Sequence, residues 1–274
     1  MNSPKADPQA ETDLRGIALD YVGISKVRYP LLISGWSLDA EHQEVKDSSL
    51  TLKVSLDAQK RGIHMSRLLE DVHRWERALT PQNLPQLLTN IREQQGAETA
   101  SISCDFTWFV ARPAPKTEKP SWQGIETTWF GEKTSDKTST GYTLKIPVTT
   151  LCPCSRDISD YGAHSQRGWV KVTLCWSSVE EVIAPEAIFN ELQHAGSAPI
   201  YPLLKREDER HVTMLAYDNP AFVEDTTRRA AKVLQQKQNV ESFTLEICNE
   251  ESIHTHDAIA TLRYIRPNSP LNSL

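Results

Sequence analysis

Apolar and polar positions begin to alternate at Val22. VGISKVRYPLLISGW (22–36) reads as a strand, and SSLTLKVSLDAQK (48–60) alternates cleanly, with Leu50, Leu52, Val54 and Leu56 on one face. The period then changes. In HMSRLLEDVHRWERAL, Met65, Leu68, Leu69, Val72, Trp75 and Leu79 recur at helical spacing. LPQLLTNIREQQ predicts a second helix, with Gly96 placed to stop it. TASISCDFTWFVARP and GIETTWFGEK return to the strand pattern across a loop marked by Pro113, Pro115 and Pro120. The order is β-β-α-α-β-β.

After the polar stretch KTSDKTSTG, the best linker candidate, the same order repeats. GYTLKIPVTTL and GWVKVTLCWSS read as strands, EAIFNELQHAG and NPAFVEDTTRRAAKVLQQK as helices, and ESFTLEICNE and DAIATLRYIRP as closing strands. The second helix is expected to start at Asn219-Pro220, a cap followed by proline at the first helical position. Tandem units of one element order are a duplication at the level of pattern, without strong residue identity between the halves. The expected class is therefore α+β. A mobile tail is expected over 1–15, a first module over 16–135, a second over 136–267 carrying most site residues, and a C-terminal tail over 268–274.

Composition narrows what such a chain does. Its 274 residues are 39% hydrophobic, enough for a packed core, and the formal net charge is −6. An acidic chain without a basic stripe argues against nucleic acid as a partner. No apolar run approaches the roughly 20 residues of a membrane span, and the polar start MNSPKADPQAETD does not resemble a secretory signal. A cytoplasmic protein is expected. Five scattered cysteines fit reduced thiols better than a disulfide framework.

Several stretches hold chemistry. LCPCSRDISDYGAHSQR (151–167) offers Cys152, Cys154 and His164. Thiolate and imidazole suit zinc and similar ions, but Cys-x-Cys is tighter than structural zinc spacing, so one thiol binding a metal is favoured over both. Buried cysteines beside a loop histidine compete with that reading. In SIHTHDA, His254 and His256 point the same way on an extended chain, with Glu250, Glu251 and Asp257 nearby; an exposed polar loop would look the same. The run LLKREDERHVT (203–213) is by default a solvated face, or else one of Glu207, Asp208 and Glu209 is a ligand while Lys205 and Arg206 attract an anion. Glu224 in NPAFVED complements a helix dipole or accepts from the N–H edge of a guanine. GIHMSR sets His64, Ser66 and Arg67 at a helix start, an ordinary cap or a phosphate site.

Read together, these blocks resemble the motifs of GTP cyclohydrolase type IB, from about Val22 to Tyr264. The resemblance implies a tunnelling fold of two β-β-α-α-β-β modules, with antiparallel sheets that carry helices on one face and assemble into a barrel-forming homotetramer with sites between subunits. It implies conversion of GTP and water to formate and 7,8-dihydroneopterin triphosphate, the first step toward tetrahydrofolate. It also implies a divalent metal, zinc, manganese or iron. Carried over by motif, Cys152, His164 and Glu209 would bind that metal and Glu224 would anchor the guanine. Cys154, Glu251, His254 and His256 would line the reacting end. Arginine stands at 156, serine at 165 and threonine at 255 where the family more often has lysine, asparagine and asparagine; none of these removes a proposed ligand.

The implied chemistry is physically coherent. Coordination brings the pKa of water from about 15.7 toward 7, which makes it a nucleophile toward C8 of guanine. His254 is the first choice to protonate N7 and His256 a proton relay near the ribose. Arg67, Arg167, Lys205 and Arg206 are candidates for the triphosphate, together with His64 and Ser66. Rival readings are a non-catalytic metal-binding scaffold and the NADPH-dependent nitrile reductase of the same fold, whose Glu-Ser-Lys-Ser-Leu-Lys motif has no match here.

Overall fold

The alternation read along the chain becomes a single sheet. A computed structural model describes residues 9, 11–33, 43–75, 80, 83–267, 269 and 271. Most of the two expected tails lies outside them, as do Leu79 and the end of the first strand stretch, 34–36. Among the described residues the strands are β1 (Leu19–Ile33), β2 (Gln43–Leu56), β3 (Ala100–Ala111), β4 (Trp122–Lys133), β5 (Thr138–Leu151), β6 (Ser165–Trp176), β7 (Ala198–Pro199), β8 (Ser242–Asn249) and β9 (Ala258–Ile265). They form one antiparallel sheet in the order β1-β2-β3-β4-β5-β6-β8-β9, with β7 paired to β5. The helices are α1 (Met65–Arg74), α2 (Leu84–Gln95), α3 (Pro153–Ile158), α4 (Pro185–Leu192), α5 (Arg206–Asp218) and α6 (Val223–Gln235).

Register carries one apolar row across seven strands: Leu50, Cys104, Trp129, Tyr142, Leu174, Phe243 and Tyr264 are successive partners. The row works because the side-chain period of a strand is two, so aligned strands put every second residue on one face. Leu68, Leu84, Leu88, Ile188, Phe189 and Leu234 from the helices join the same buried cluster. That is the core, and it packs helices against a single face. The opposite face is polar, with exposed pairs such as Lys145–Glu126 and Lys171–Glu246.

The first half shows the expected order, and Gly96 closes α2 in the left-handed conformation at φ 56°. The second half holds more than was read. Only residues 134–137 of KTSDKTSTG form a connection, a tight one with the N–H of Thr134 donating to the Lys137 carbonyl; Lys133 ends β4 and Thr138 begins β5. The charge run 203–213 is mostly helix α5, whose Asp208 is fully buried. The expected start of the last helix at Asn219-Pro220 is corrected: Asn219 caps the end of α5, and α6 starts at Val223 behind Phe222. The reason is tertiary. The N–H of Ala221 donates to the Leu151 carbonyl at 3.0 Å, which uses 219–222 to tie the helix to the sheet. Asp225 then accepts from the Phe222 N–H at 3.1 Å. No helix among the described residues is long and apolar enough to cross a membrane.

Candidate active site

The connection between β5 and β6, which contains α3, is braced from within. Cys152 caps α3, its Sγ accepting from the N–H of Ser155 at 3.4 Å. Its own N–H donates to the His164 carbonyl at 3.1 Å, and the His164 N–H donates to Ser155 Oγ at 3.1 Å. Thiol and imidazole twelve residues apart in sequence are thus anchored to one turn. Cys154 is exposed on α3, one residue beyond that turn's proline.

Side-chain contacts fix which nitrogen of His164 is free. Nδ1 lies 2.9 Å from Gln166 Oε1, and Gln166 Nε2 donates to Thr150 Oγ1 at 3.0 Å. With the amide oriented this way its oxygen faces the ring and accepts, and the Glu251 carboxylate on the same side of the ring favours a proton there. Nδ1 therefore carries the proton and Nε2 keeps its lone pair, the arrangement in which a histidine ligates metal. The assignment follows from the network, as tautomers do. Glu251 Oε2 stands 3.9 Å from the same Nδ1, with both side chains only 13% exposed. Its carboxylate is on the protonated side of the ring, away from the lone pair.

Neighbouring strands bring three further blocks to this end of the sheet. The Glu250 N–H donates to the Arg167 carbonyl at 2.9 Å, and Glu250 accepts from Trp169 Nε1 at 2.8 Å, which docks loop 250–257 beside the start of β6. On that loop His254 and His256 stack with centroids 5.1 Å apart and planes 14° apart, both exposed. The Ala221–Leu151 bond places the start of α6, with exposed Glu224, next to Cys152. Arg156 of α3 lies over the Tyr217 ring of α5 at 4.5 Å.

Other expected residues are not gathered here. Glu209 is exposed in the first turn of α5 without a side-chain hydrogen bond or ion pair among the described residues. No three His, Cys, Asp or Glu side chains among the described residues form a cluster fit to hold a metal ion. His64, Ser66 and Arg67 belong to α1, which packs against β1 and α2. β1 lies four strand spacings from β5, roughly 19 Å at about 4.8 Å each. Arg167, Lys205 and Arg206 are exposed.

Residues that sequence reasoning missed are ones that hold the ligands in place: Gln166, Thr150 and Ser155; Asp208, weighed there as a possible ligand, is instead an anchor of α5. Asp208 accepts from the N–H groups of Lys116, Thr117 and Lys205 and from the Thr117 hydroxyl, at 2.6–3.0 Å. Burial would raise its carboxyl, but these four donors outweigh burial and hold it well below the usual carboxylate range.

Against known proteins, residues 6–260 match the family model described as type I GTP cyclohydrolase folE2. The chain is 38% identical over 262 residues to a GTP cyclohydrolase FolE2 of Nitrosococcus oceani, covering 96% of each. It is 35% identical over 257 residues to the FolE2 of Magnetococcus marinus, covering 94% of this chain and 95% of that one. Among solved structures it is similar to the uricase of Arthrobacter globiformis, with TM-score 0.56 and 11% identity over 93% of this chain and 97% of that one. That likeness concerns the fold alone and places the sheet and its helices among the tunnelling folds.

Proposed function

The chain belongs to the type I GTP cyclohydrolase folE2 family and is a GTP cyclohydrolase of folate biosynthesis; from that premise we propose how its residues divide the work. The overall reaction consumes GTP and water and releases formate and 7,8-dihydroneopterin triphosphate. The observation that carries the site assignment is the His164–Gln166–Thr150 chain, which engages Nδ1, on a residue tied to Cys152 by a backbone hydrogen bond.

Enzymes of this family are metal-dependent, and the donors fit in kind: a thiol and an imidazole held on one turn. Cys152 and His164 would hold the ion. Glu209 is our third ligand, since Glu251 faces the protonated nitrogen. When bound, zinc, manganese or iron supplies the Lewis acidity that makes water nucleophilic at neutral pH. Glu224, ahead of the bulk of α6, accepts from the guanine N–H edge and orients C8. His254 delivers a proton to N7, and His256, stacked on it, relays protons during ring opening and reclosure. Glu251 holds the His164 ring and, with Cys154, lines the reacting end.

If 16–135 and 136–267 are taken as modules, they would join at the β4–β5 pair, through which the sheet is continuous. β1 and β9 end the sheet within one chain. Pairing of those edges with other copies would close a barrel, and a cytoplasmic homotetramer with sites between subunits is our reading. It would let His64, Ser66 and Arg67 of one copy reach the Cys152 loop of another.

Purified protein supplied with GTP and zinc, manganese or iron should release formate and, after oxidation, fluorescent neopterin. No product with any of the three ions would sink the assignment.

A further inference from the structure

We propose that Arg112 receives the phosphate tail of the substrate. This rests on the GTP reading for the identity of the anion, but the site is built from separate observations. Arg112 is nine-tenths buried, and its Nε and Nη2 have neither solvent nor an acceptor among the described residues. Its guanidinium lies over the Tyr201 ring at 4.0 Å and near Phe189 at 5.7 Å. Aromatic rings fix the plane of a guanidinium without neutralising it. A buried cation with no carboxylate facing it is costly unless an anion completes it. Arg112 shows the strain of that position, since burial pulls its pKa down.

His194 lies near enough to feel the Arg112 charge: burial first, and Arg112 second, lower its pKa, so it stays neutral and brings no charge of its own. Lys116 lies in the same loop as Arg112, and the backbones of Lys116 and Lys205 converge on Asp208. Arg206 follows Lys205. Asp208 is buried and already takes four donors, so it does not answer Arg112, and Glu118, Glu207 and Glu209 are exposed.

Strand β7 ties this corner to the active site. Arg112 stacks on Tyr201, two residues beyond β7, whose Ala198 pairs with Thr149 of β5. Ser197, just before β7, accepts from the Leu151 N–H at 3.0 Å through its hydroxyl and donates its own N–H to the Thr149 carbonyl at 2.8 Å. These contacts flank Thr150, the residue that braces Gln166 and so His164. A nucleoside triphosphate bound at the His164 end would run its phosphates along β7 toward Arg112.

The test separates phosphate binding from a structural role. In Arg112→Met, KM for GTP should rise about 10- to 100-fold, the loss expected for charge-assisted hydrogen bonds. The inhibition constant of guanosine, which lacks phosphates, should stay within about twofold. Arg112→Lys keeps the charge but not the fork and should raise KM by a smaller factor. This milder change also serves if the methionine variant does not fold. A wild-type KM in either folded variant would overturn the proposal, and so would a parallel rise for GTP and guanosine. The guanidinium would then be completed internally, by the buried carbonyl oxygens of Gln123 or Gln193. Absence of GTP turnover in the unmodified protein would instead strike the activity itself. The retained binding contrast between GTP and guanosine, read by calorimetry, would still decide the role of Arg112.

Discussion

Glu251 and Gln166 approach the same nitrogen of His164, the carboxylate at 3.9 Å and the amide oxygen at 2.9 Å. One comes from the 250–257 loop and the other from the start of β6, and they do different work. Gln166 sets the tautomer, whereas Glu251 places a negative charge beside a ring whose other nitrogen is reserved for a metal. Replacing Gln166 by alanine should weaken metal binding by about 10- to 100-fold, as removal of an orienting partner does. Glu251→Gln should keep the metal but lower kcat by about 100-fold. Competition with a coloured chelator measures the first, and neopterin release the second. Wild-type metal affinity in Gln166→Ala would sink the tautomer assignment.

Cys152 is the thiol tied to His164 through backbone, and Cys154 is not. Cys152→Ala should remove both bound metal and turnover, with the loss of metal read by atomic absorption. Cys154→Ala should retain metal, since that thiol stands outside the braced turn. Full metal occupancy in the Cys152 variant would show that the ligand set is wrong.

The sheet was legible because its information is local. The row from Leu50 to Tyr264 is built of strands whose own alternation announces them, and α2 with Gly96 carried both its pattern and its stop. α5 was hidden because its buried face is made by Asp208 and Ala216 amid KREDER, so no apolar stripe marks it. The start of α6 was misplaced for a related reason. The Ala221–Leu151 bond that straightens 219–222 joins residues 70 apart, beyond any window of local pattern. Cys152, His164 and Glu224 were visible as chemistry. Gln166 and Thr150 were not, since only the β5–β6 register sets an ordinary glutamine beside its threonine partner.

The thiols should differ sharply in reactivity. Burial pushes Cys104 up to about 12 and Cys175 up to about 11, so neither is a thiolate at neutral pH. Cys154 is exposed. Iodoacetamide at about pH 8 should modify Cys154 in the native protein and reach Cys104 and Cys175 only after unfolding. Peptide mass spectrometry over time reads this directly. Comparable native rates for Cys104 and Cys154 would contradict the burial of β3 in the core.

Asp208 makes stability depend on acid. A carboxyl held below its unfolded value binds fewer protons when folded than when unfolded, so the stability it contributes is complete above the unfolded pKa of about 3.9. That contribution is lost as pH falls from there through the depressed folded value. Asp208→Asn keeps the size of the side chain but replaces one acceptor oxygen by an amide nitrogen, which faces N–H donors of Lys116, Thr117 or Lys205. The variant should melt several degrees lower at neutral pH and should lose less additional stability than the parent between about pH 5 and pH 3. Urea unfolding across that range measures both effects. Equal pH slopes for the two proteins would mean that the four donors around Asp208 do not set its ionisation.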